Sequence, residues 1–420
     1  MHDDTYDVAV VGGGSAGVAA AAGAARSGAK TLLIEAAGCL GGAATMRNVV
    51  TYCGIHTLTD PSRQVVFGVA ENVLEKLRKW KAVTPPQRFR GVFLAFDPEA
   101  AKVALDEVCG EAGVHVLLHS SLVAAERTDG RITELTLQDH GGRHVVRARS
   151  FVDATGEGNL AHLAGASLRY GNGDEVNLGS LGTRFGGIPA DVTVTADQIA
   201  AAVEAHSKAG VGPFAKDRSV VVRLPISGDL ALYVASADYD PRDAVSLSKA
   251  EASGRQQARA YLQAIQTIHG CERAYLVSTG PQFGTRESRH LNCAYQLTWQ
   301  DIEERRTFAD CIAIGAWGAE WHDRKTYAST FDYSPDRDAY EIPLGCLVSC
   351  DTTNLFAAGR TVDGDRKAGA AIRVMGTSFA TGHAAGIAAA EVADQGRFEA
   401  KSVRQTLMSQ GAVISTSEAQ

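Results

Sequence analysis

A glycine-rich turn between an apolar run and an alanine-rich run limits most strongly how this chain can fold. Residues 6–11 predict a buried parallel strand, and the alanine-rich run that ends near Ser27 predicts a helix. Between them, Gly12, Gly14 and Gly17 have the spacing G-x-G-x-x-G. The first glycine makes the tight turn, the second lets the backbone approach a pyrophosphate, and the third lets helix and strand pack closely. The pattern predicts a dinucleotide-binding unit.

The acidic residue that ends the next strand makes this prediction more specific. Residues 31–34 predict that strand, and Glu35 follows it. A carboxylate there accepts hydrogen bonds from the hydroxyls of an adenosine ribose and disfavours a 2′-phosphate. Ser15 and Ala16 open the helix, whose N-terminal amide groups and dipole attract phosphates. The alternative is a glycine turn that only connects strand to helix.

Two further glycine segments favour FAD over a nicotinamide dinucleotide. The first, residues 41–45, follows the second strand directly, where the pyrophosphate and ribityl chain of a flavin would run. The second, residues 153–156, ends a later predicted strand. A simple NAD-dependent dehydrogenase needs neither segment. In these segments and in a strand between them, the residues expected to bind FAD are Gly42, Ala43, Thr45, Val123, Ala154, Thr155 and Gly156.

The composition argues against several other classes of protein. The formal net charge is -7 and no basic stripe stands out, so we do not expect a nucleic-acid partner. The N-terminal apolar run follows Asp3 and Asp4 and is broken by glycines, which argues against a signal peptide. No apolar stretch has the length of a membrane span, and we expect a soluble cytoplasmic protein. The cysteines form no C-x-x-C pair, so we expect no metal site. A homo-oligomer stays open.

The remaining pattern predicts an α/β fold with a second, smaller α+β unit. Strand-like runs at 122–127, 132–138 and 143–149 predict an antiparallel β-meander inserted between the parallel strands, and residues 151–154 re-enter the main sheet. The predicted organisation is a Rossmann-type FAD-binding domain with a parallel sheet over residues 1–166 and 341–395, an α+β substrate or cap domain over 167–340, and a C-terminal helix and tail over 396–420.

Two capping-box spacings predict where helices begin in the second unit. Ser248 and Glu251 have this spacing, and Thr298 and Asp301 repeat it. In a capping box, the first side chain accepts from the backbone of the fourth residue, whose own side chain reaches back. We therefore expect helices to start at Ser248 and Thr298.

Five ordered segments across the chain resemble a known group of flavoproteins. The chain resembles the FAD-dependent oxidoreductases with a glutathione-reductase-type Rossmann domain, a superfamily that includes the fumarate reductase flavoproteins. More narrowly, it is similar to a bacterial family labelled "FAD dependent oxidoreductase". The segments are VVGGGSAGVAAA at 10–21, LIEAAGCLGGAAT at 33–45, VDATGEGNLAHLAGA at 152–166, GTRESRHL at 284–291 with YQLTWQDI at 295–302, and AAGRTVDGDRKAGAAIRVMGTSFATGHAAGIAAA at 357–390.

The resemblance implies that the last of these segments contacts the flavin. Helix N-terminal amide groups at the flavin's N1–C2 edge would stabilise the negative charge of the reduced ring. Many members of the group have a histidine where this chain has Arg366, so we expect FAD to be bound non-covalently. The implied contacts are Gly359, Arg360, Asp365, Met375, Gly376 and Thr377, and Arg47 and Arg373 are further polar candidates near the flavin.

Three residues are candidates for the chemistry. Arg286 is expected either to hold an oxyanion of the substrate or to join a structural ion-pair network with Glu287. His56 is a candidate base that removes a proton as a hydride leaves. His322 is the other candidate, with Asp323 as the residue that orients it.

Three functions compete for these features. The first is a flavin dehydrogenase or oxidase that acts on a small organic metabolite, with an anionic one favoured by the arginines. The second is the reverse flow of electrons, in a C=C reductase of the fumarate-reductase kind. The third is a non-redox hydratase or isomerase in which FAD is structural. All three rely on FAD as the cofactor and on a small-molecule substrate.

Overall fold

The structure is a computed structural model that describes residues 5–416. Asp3 and Asp4, and residues 417–420 of the predicted tail, lie outside the described residues. The strands are β1 Thr5–Val11, β2 Thr31–Ile34, β3 Thr51–Cys53, β4 Gln87–Arg88, β5 Val92–Ala95, β6 His115–Leu117, β7 Ser121–Thr128, β8 Arg131–Asp139, β9 Gly142–Asp153, β10 Leu168–Tyr170, β11 Gly179–Ser180, β12 Thr183–Gly186, β13 Val222–Arg223, β14 Leu230–Leu232, β15 Ser236–Ala237, β16 Tyr275–Thr279, β17 Arg289–Leu291, β18 Cys311–Gly315, β19 Ala319–His322, β20 Ser329–Asp332, β21 Tyr340–Pro343 and β22 Leu355–Ala357.

Helices connect and cover these strands. The α-helices are α1 Ser15–Arg26, α2 Ala43–Met46, α3 Val69–Lys79, α4 Pro98–Glu111, α5 Asn159–Leu163, α6 Ala196–Lys208, α7 Ala244–Ile265, α8 Trp299–Glu303, α9 Arg366–Ile372, α10 Met375–Gln395 and α11 Ala400–Ser409. Short 3-10 turns span Pro335–Arg337, Leu344–Cys346 and Gly359–Thr361. Within residues 5–416, no helix combines the length and apolar character that a membrane span requires.

The largest sheet confirms the predicted α/β class. Its strand order is β6-β2-β1-β9-β8-β7, and β22 also pairs with β9. The strands β6, β2, β1, β9 and β22 run parallel, whereas β7 and β8 extend the sheet with antiparallel pairing. β2 and most of β1 are buried on both faces, which explains why their sequences are continuously apolar.

Strand β9 corrects the predicted meander. The sequence predicts separate strands at 143–149 and 151–154, but Gly142–Asp153 forms one strand. Its first half pairs with β8, and its second half lies between β1 and β22. Exposed and buried residues alternate along the first half, and burial is continuous from Ser150 onward. One strand therefore looks like two in the sequence, because its surroundings change halfway along.

Helices from the two ends of the chain pack closely against each other. Helix α10 crosses α1 and also contacts β1 and β9. A Cβ added at Gly382 would lie 2.1 Å from the carbonyl oxygen of Ala16, and one at Gly386 would lie 1.9 Å from that of Ala20. Glycines on α10 therefore permit the two backbones to approach, and the last third of the chain lies beside the glycine turn.

Among the described residues, the buried hydrophobic ones form one large core, a separate second one and two small clusters. The large core includes β1, β2, α1 and α10 and extends to Ile414. The second core draws its residues from Val176 to Phe283, around β12, β14, α6 and α7. The buried hydrophobic residues from Leu291 to Tyr340, apart from Trp317, belong to the large core. The predicted division of the chain at 167 and 341 stays a prediction, and these cores favour a second boundary near Phe283.

One capping-box prediction is confirmed and the other is wrong. The Thr298 side chain accepts from Asp301 N, and the Asp301 side chain accepts from Thr298 N, at the start of α8. Helix α7 begins earlier than predicted, because Asp243 caps it and accepts from the backbone of its first turn. The Ser248 hydroxyl instead donates to the carbonyl of Ala244 inside that helix.

Candidate functional site

The carboxyl ends of four parallel strands meet at a cleft, which we call the strand-end cleft. Gly12 follows β1, Glu35 follows β2, Ala154 follows β9 and Ala358 follows β22, and all four line the cleft. In open α/β sheets, ligands bind at this edge of the sheet. These four residues are far apart in the sequence, and the parallel pairing of their strands brings them together.

The glycine turn forms one wall of the strand-end cleft, and Glu35 holds it in place. Gly12 has a φ of 101°, and a Cβ on Gly17 would lie 1.7 Å from the Gly12 carbonyl oxygen. The Glu35 carboxylate accepts from Gly13 N and from Ala37 N, each at 2.7 Å. These contacts fix the turn while the Glu35 side chain still faces the cleft.

The start of helix α1 fits a pyrophosphate. No side chain caps α1 at Gly14, so its first amide groups are free to bind a ligand. The Ser15 hydroxyl is buried and has no hydrogen-bond partner among the described residues. A Cβ on Gly42 would lie 3.0 Å from Gly14 Cα, so glycine at position 42 allows the two loops to come this close. Free amide and hydroxyl donors at a helix N-terminus suit phosphate oxygens.

Most of the residues predicted to bind the cofactor line this cleft. They are Gly12, Gly14, Ser15, Ala16, Glu35, Gly42, Ala43, Ala154, Thr155, Gly156, Gly359, Arg360 and Met375. The predicted residues that do not line it are Gly17, Thr45, Val123, Asp365, Gly376 and Thr377.

The structure gives most of these other residues packing or capping roles. The Thr45 hydroxyl donates to the carbonyl of Leu40 at 2.7 Å. Asp365 caps α9 and accepts from Trp299 N at 2.8 Å. Gly376 packs against the backbone beyond β3, and Thr377 is buried in the same helix. Val123 lies in β7 and is 36% exposed. For these residues, contact with the cofactor stays a prediction.

A largely buried carboxylate that sequence reasoning missed joins two of the arginines. Glu157 lies 3.1 Å from Arg47 and 2.8 Å from Arg360, and it accepts from the Thr285 hydroxyl at 2.5 Å. Burial by itself raises the pKa of Glu157, but Arg360 and Arg47 outweigh it and lower the pKa to about 2. Glu157 directly follows the glycine turn at 153–156, which is the sequence signal that would have identified it. Met46, Gln282, Ala358 and Ser378 also line the cleft and were not predicted.

A second cavity of about 260 Å³ adjoins the cleft, and we call it the arginine cavity. The two spaces share part of their walls, which consists of Ala43, Arg47, Arg360, Arg373 and Met375. The apolar part of the arginine cavity includes Val49, Phe89, Phe93, Trp317 and Val374. Its polar part includes Lys216, Tyr233, Arg286, Glu320 and His322.

Burial and mutual repulsion shift the pKa values in the polar part of this cavity. Burial, followed by the charge of Arg373, lowers the pKa of Arg286 to about 10. Burial and Arg286 lower the pKa of Lys216 to about 7 and that of His322 to about 3. Burial opposes ionisation of Glu320, but His322 and the two arginines hold its pKa below the usual value. At neutral pH, His322 is therefore neutral, and Lys216 is divided between its two forms.

Arg286 lines the arginine cavity but does not join the predicted ion-pair network. Its guanidinium donates to the Leu178 carbonyl and to the Ser180 hydroxyl. Glu287 pairs instead with His290, at 3.1 Å, and accepts from Asn177. The predicted ion-pair network of Arg286 with Glu287 is therefore wrong, because the two side chains contact different partners.

The two candidate histidines differ in position. His322 lines the arginine cavity, and its Nε2 lies 3.5 Å from Glu320. The predicted pairing with Asp323 is wrong, since Asp323 accepts from the backbone of its own turn at Lys325 and Thr326. His56 is buried and lines neither the cleft nor the arginine cavity, and its pKa is lowered by burial and by Arg78.

Solved structures of known proteins share the fold that carries this site. No curated protein matches the chain in sequence. Among solved structures, p-nitrophenol 4-monooxygenase PnpA from Pseudomonas putida DLL-E4 is 12% identical, with a TM-score of 0.50 over 99% of this chain and 89% of that chain. BexE, described in connection with oxidation during BE-7585A biosynthesis, is 14% identical, with a TM-score of 0.50 over 96% of this chain and 66% of that chain. These likenesses concern the fold.

The match to a family is more extensive. The family described as "FAD dependent oxidoreductase" matches residues 7–407, which include the glycine turn, Glu157 with its two arginines, and the arginine cavity. The protein is therefore an FAD-dependent enzyme, and the chain belongs to the FAD dependent oxidoreductase family.

Proposed function

We propose that this protein oxidises a small organic metabolite by hydride transfer to non-covalently bound FAD, with the metabolite in the arginine cavity. The shared wall carries the proposal. Arg47, Arg360, Arg373 and Met375 line both the strand-end cleft and the arginine cavity. Ligands in the two spaces can meet at these side chains, as a cofactor and its substrate must.

The residues of the strand-end cleft are suited to FAD. Ser15 and the first turn of α1 would hold the pyrophosphate, and Glu35 would hold the adenosine ribose. Arg360 and Met375, at the shared wall, would lie beside the flavin. When bound, FAD accepts the hydride and so supplies the redox chemistry. The protein's own task is to orient the substrate and to move a proton.

We assign proton removal to Lys216. A general base works best when its pKa lies near the operating pH. The pKa of Lys216 is lowered to about 7, whereas that of His322 is lowered to about 3. The Tyr261 hydroxyl accepts from Lys216 N at 2.9 Å and donates to Lys216 O at 2.6 Å, which fixes the backbone that carries this side chain. Neutral Lys216 Nζ would take the proton from a hydroxyl or amine of the metabolite.

Arg286 and His322 would orient the metabolite. The Arg286 guanidinium is held by Leu178 O and Ser180 Oγ, so it is fixed before a ligand binds. If the Nε2 proton of His322 faces Glu320, its Nδ1 is a hydrogen-bond acceptor, and this atom is buried without a partner among the described residues. An acceptor at that point can receive a hydrogen bond from a substrate hydroxyl.

An anaerobic screen of metabolites tests this proposal. The purified protein is mixed with single metabolites in the absence of oxygen, and the absorbance band of oxidised flavin is recorded. We expect one group of metabolites to bleach the band, and Lys216→Met to slow the bleaching. The exposed variant Lys249→Met is the matched control and should bleach at the wild-type rate.

Two other outcomes would contradict the proposed direction of reaction. Reoxidation of chemically reduced protein by an unsaturated acid, with no bleaching by any saturated metabolite, would make the protein a C=C reductase. Turnover of a metabolite without any change in the flavin spectrum would make the reaction a non-redox one.

A further inference from the structure

The wall of the arginine cavity contains three buried polar atoms without a hydrogen-bond partner among the described residues. They are Arg373 Nε, His322 Nδ1 and Trp317 Nε1. Trp317 is 5% exposed and His322 is 8% exposed. A buried polar atom without a partner is destabilising, and most such atoms in folded proteins are satisfied by a ligand, water or protein group. Their concentration in one cavity indicates a polar ligand group at that place.

The charges around these atoms indicate the sign of that group. Arg286 and Arg373 are partly buried here, and Glu320 is the carboxylate beside them. The Arg373 guanidinium donates to the backbone carbonyl of Glu320 at 3.0 Å, and it lies 4.0 Å from the Glu320 carboxylate. Arg286 and Arg373 against Glu320 leave one positive charge uncompensated, and protonation of Lys216 would add another. Arg47, Arg90, Arg218 and Arg360 also line the cavity. An isolated buried charge is costly, so a single anionic group would stabilise this arrangement.

The rest of the cavity indicates what the anionic group is attached to. Phe93, Trp317 and Val374 are each less than 10% exposed and line the cavity. Their faces suit a flat apolar body. The cavity, at about 260 Å³, lies below the range of about 300–1,000 Å³ that is usual for drug-sized ligands. A ligand with one ring fits this description better than a larger molecule.

We propose that the arginine cavity binds a monocarboxylate with an aromatic or similarly flat apolar body, and that Arg286 and Arg373 hold its carboxylate. This inference rests on the proposed function, because it makes this monocarboxylate the metabolite that is oxidised. A carboxylate would accept hydrogen bonds from both arginines, and Arg373 Nε is a donor that is otherwise unpaired among the described residues. A hydroxyl or amine elsewhere on the molecule remains for His322 and Lys216.

Binding of benzoate to the purified FAD-loaded protein tests the inference without requiring turnover. The flavin difference spectrum and calorimetry would be recorded for benzoate, its neutral isostere benzamide, and acetate. We expect benzoate to bind about tenfold or more tightly than benzamide, because hydrogen bonds to charged groups contribute roughly twice as much as neutral ones. Acetate should bind more weakly than benzoate, because it lacks the apolar body.

Variants locate the binding and keep the test decisive. Arg286→Met should remove the preference for benzoate over benzamide, whereas Arg289→Met in the same segment should keep it, because Arg289 does not line the cavity. If Arg286→Met does not fold, the comparison of benzoate with benzamide in the wild-type protein still decides. Equal affinity for the two compounds, or an unchanged preference in a folded Arg286→Met, would overturn the inference.

This experiment and the anaerobic screen can fail separately. If neutral metabolites bleach the flavin and benzoate does not bind, the proposed function stands and the carboxylate inference is wrong. If benzoate binds as expected but no metabolite bleaches the flavin, the binding site stands and the proposed oxidation is wrong.

Discussion

Replacing Glu157 by glutamine should destabilise the protein substantially. The substitution keeps the shape of the side chain but leaves Arg47 and Arg360 without their shared carboxylate. The pKa of Glu157 falls from 4.5 to about 2 in the folded protein. At about 1.4 kcal/mol per pKa unit, this shift corresponds to about 3 kcal/mol of stability. Removing one partner of a buried ion pair generally lowers the free energy of unfolding by about 3–5 kcal/mol, which agrees with this value.

The assay is urea unfolding at pH 7 with a fixed excess of FAD, followed by tryptophan fluorescence. We expect the free energy of unfolding to fall by about 3–5 kcal/mol in Glu157→Gln. The control Glu75→Gln, at an exposed position on α3, should change it by less than about 0.5 kcal/mol. A depressed carboxyl pKa stabilises the folded state above the unfolded value of 4.5, so the difference from wild type should narrow as the pH falls below 4.5 towards 2. A loss of less than about 1 kcal/mol at pH 7 would refute this reasoning.

Three further predictions concern the base, the helix crossing and the cofactor link. With a substrate from the anaerobic screen, the rate of flavin reduction should rise with pH through about 7 as Lys216 loses its proton. Lys216→Met should lower that rate by about 10²–10⁴-fold and abolish this rise, and a retained rise would exclude Lys216 as the base. Gly386→Ala should lower the thermal unfolding temperature by an amount equivalent to about 1–3 kcal/mol or more, because its Cβ would lie 1.9 Å from Ala20 O. Gly110→Ala, whose Cβ would meet nothing within 4 Å, should be neutral or slightly stabilising, and equal effects at the two positions would contradict the packing argument. Acid precipitation should release the yellow colour into the supernatant, whereas a coloured pellet would indicate a covalent flavin.

Local patterns were sufficient to predict the cofactor half of the molecule. The turn at Gly12, Gly14 and Gly17 depends on short-range geometry, so the sequence alone predicts β1, α1 and β2. The start of α7 was harder to predict, since Asp243 and Ser248 are both of residue types that cap helices, and the structure uses Asp243. The continuity of β9 was not visible either, because burial changes along a single strand.

The arginine cavity could not be predicted as a unit. Its walls come from separate stretches of the chain, and no motif links Lys216 to Arg286 or to Glu320. Arg286 and His322 were recognised one at a time as polar residues, but their partners were predicted wrongly. Arg286 contacts Leu178 and Ser180, which are distant in the sequence, and His322 lies beside Glu320 instead of Asp323. A carboxylate such as Glu157 has no local pattern beyond its place after the glycine turn. Tertiary contacts, rather than spacing, define this half of the site.

A crystal structure of the FAD-loaded protein soaked with benzoate tests most directly whether the two spaces form one active site. We predict the adenosine ribose of FAD at Glu35, its flavin ring at the wall formed by Arg373 and Met375, and benzoate in the arginine cavity with its carboxylate on Arg286. A flavin ring away from that wall, or benzoate bound only outside the arginine cavity, would contradict this prediction.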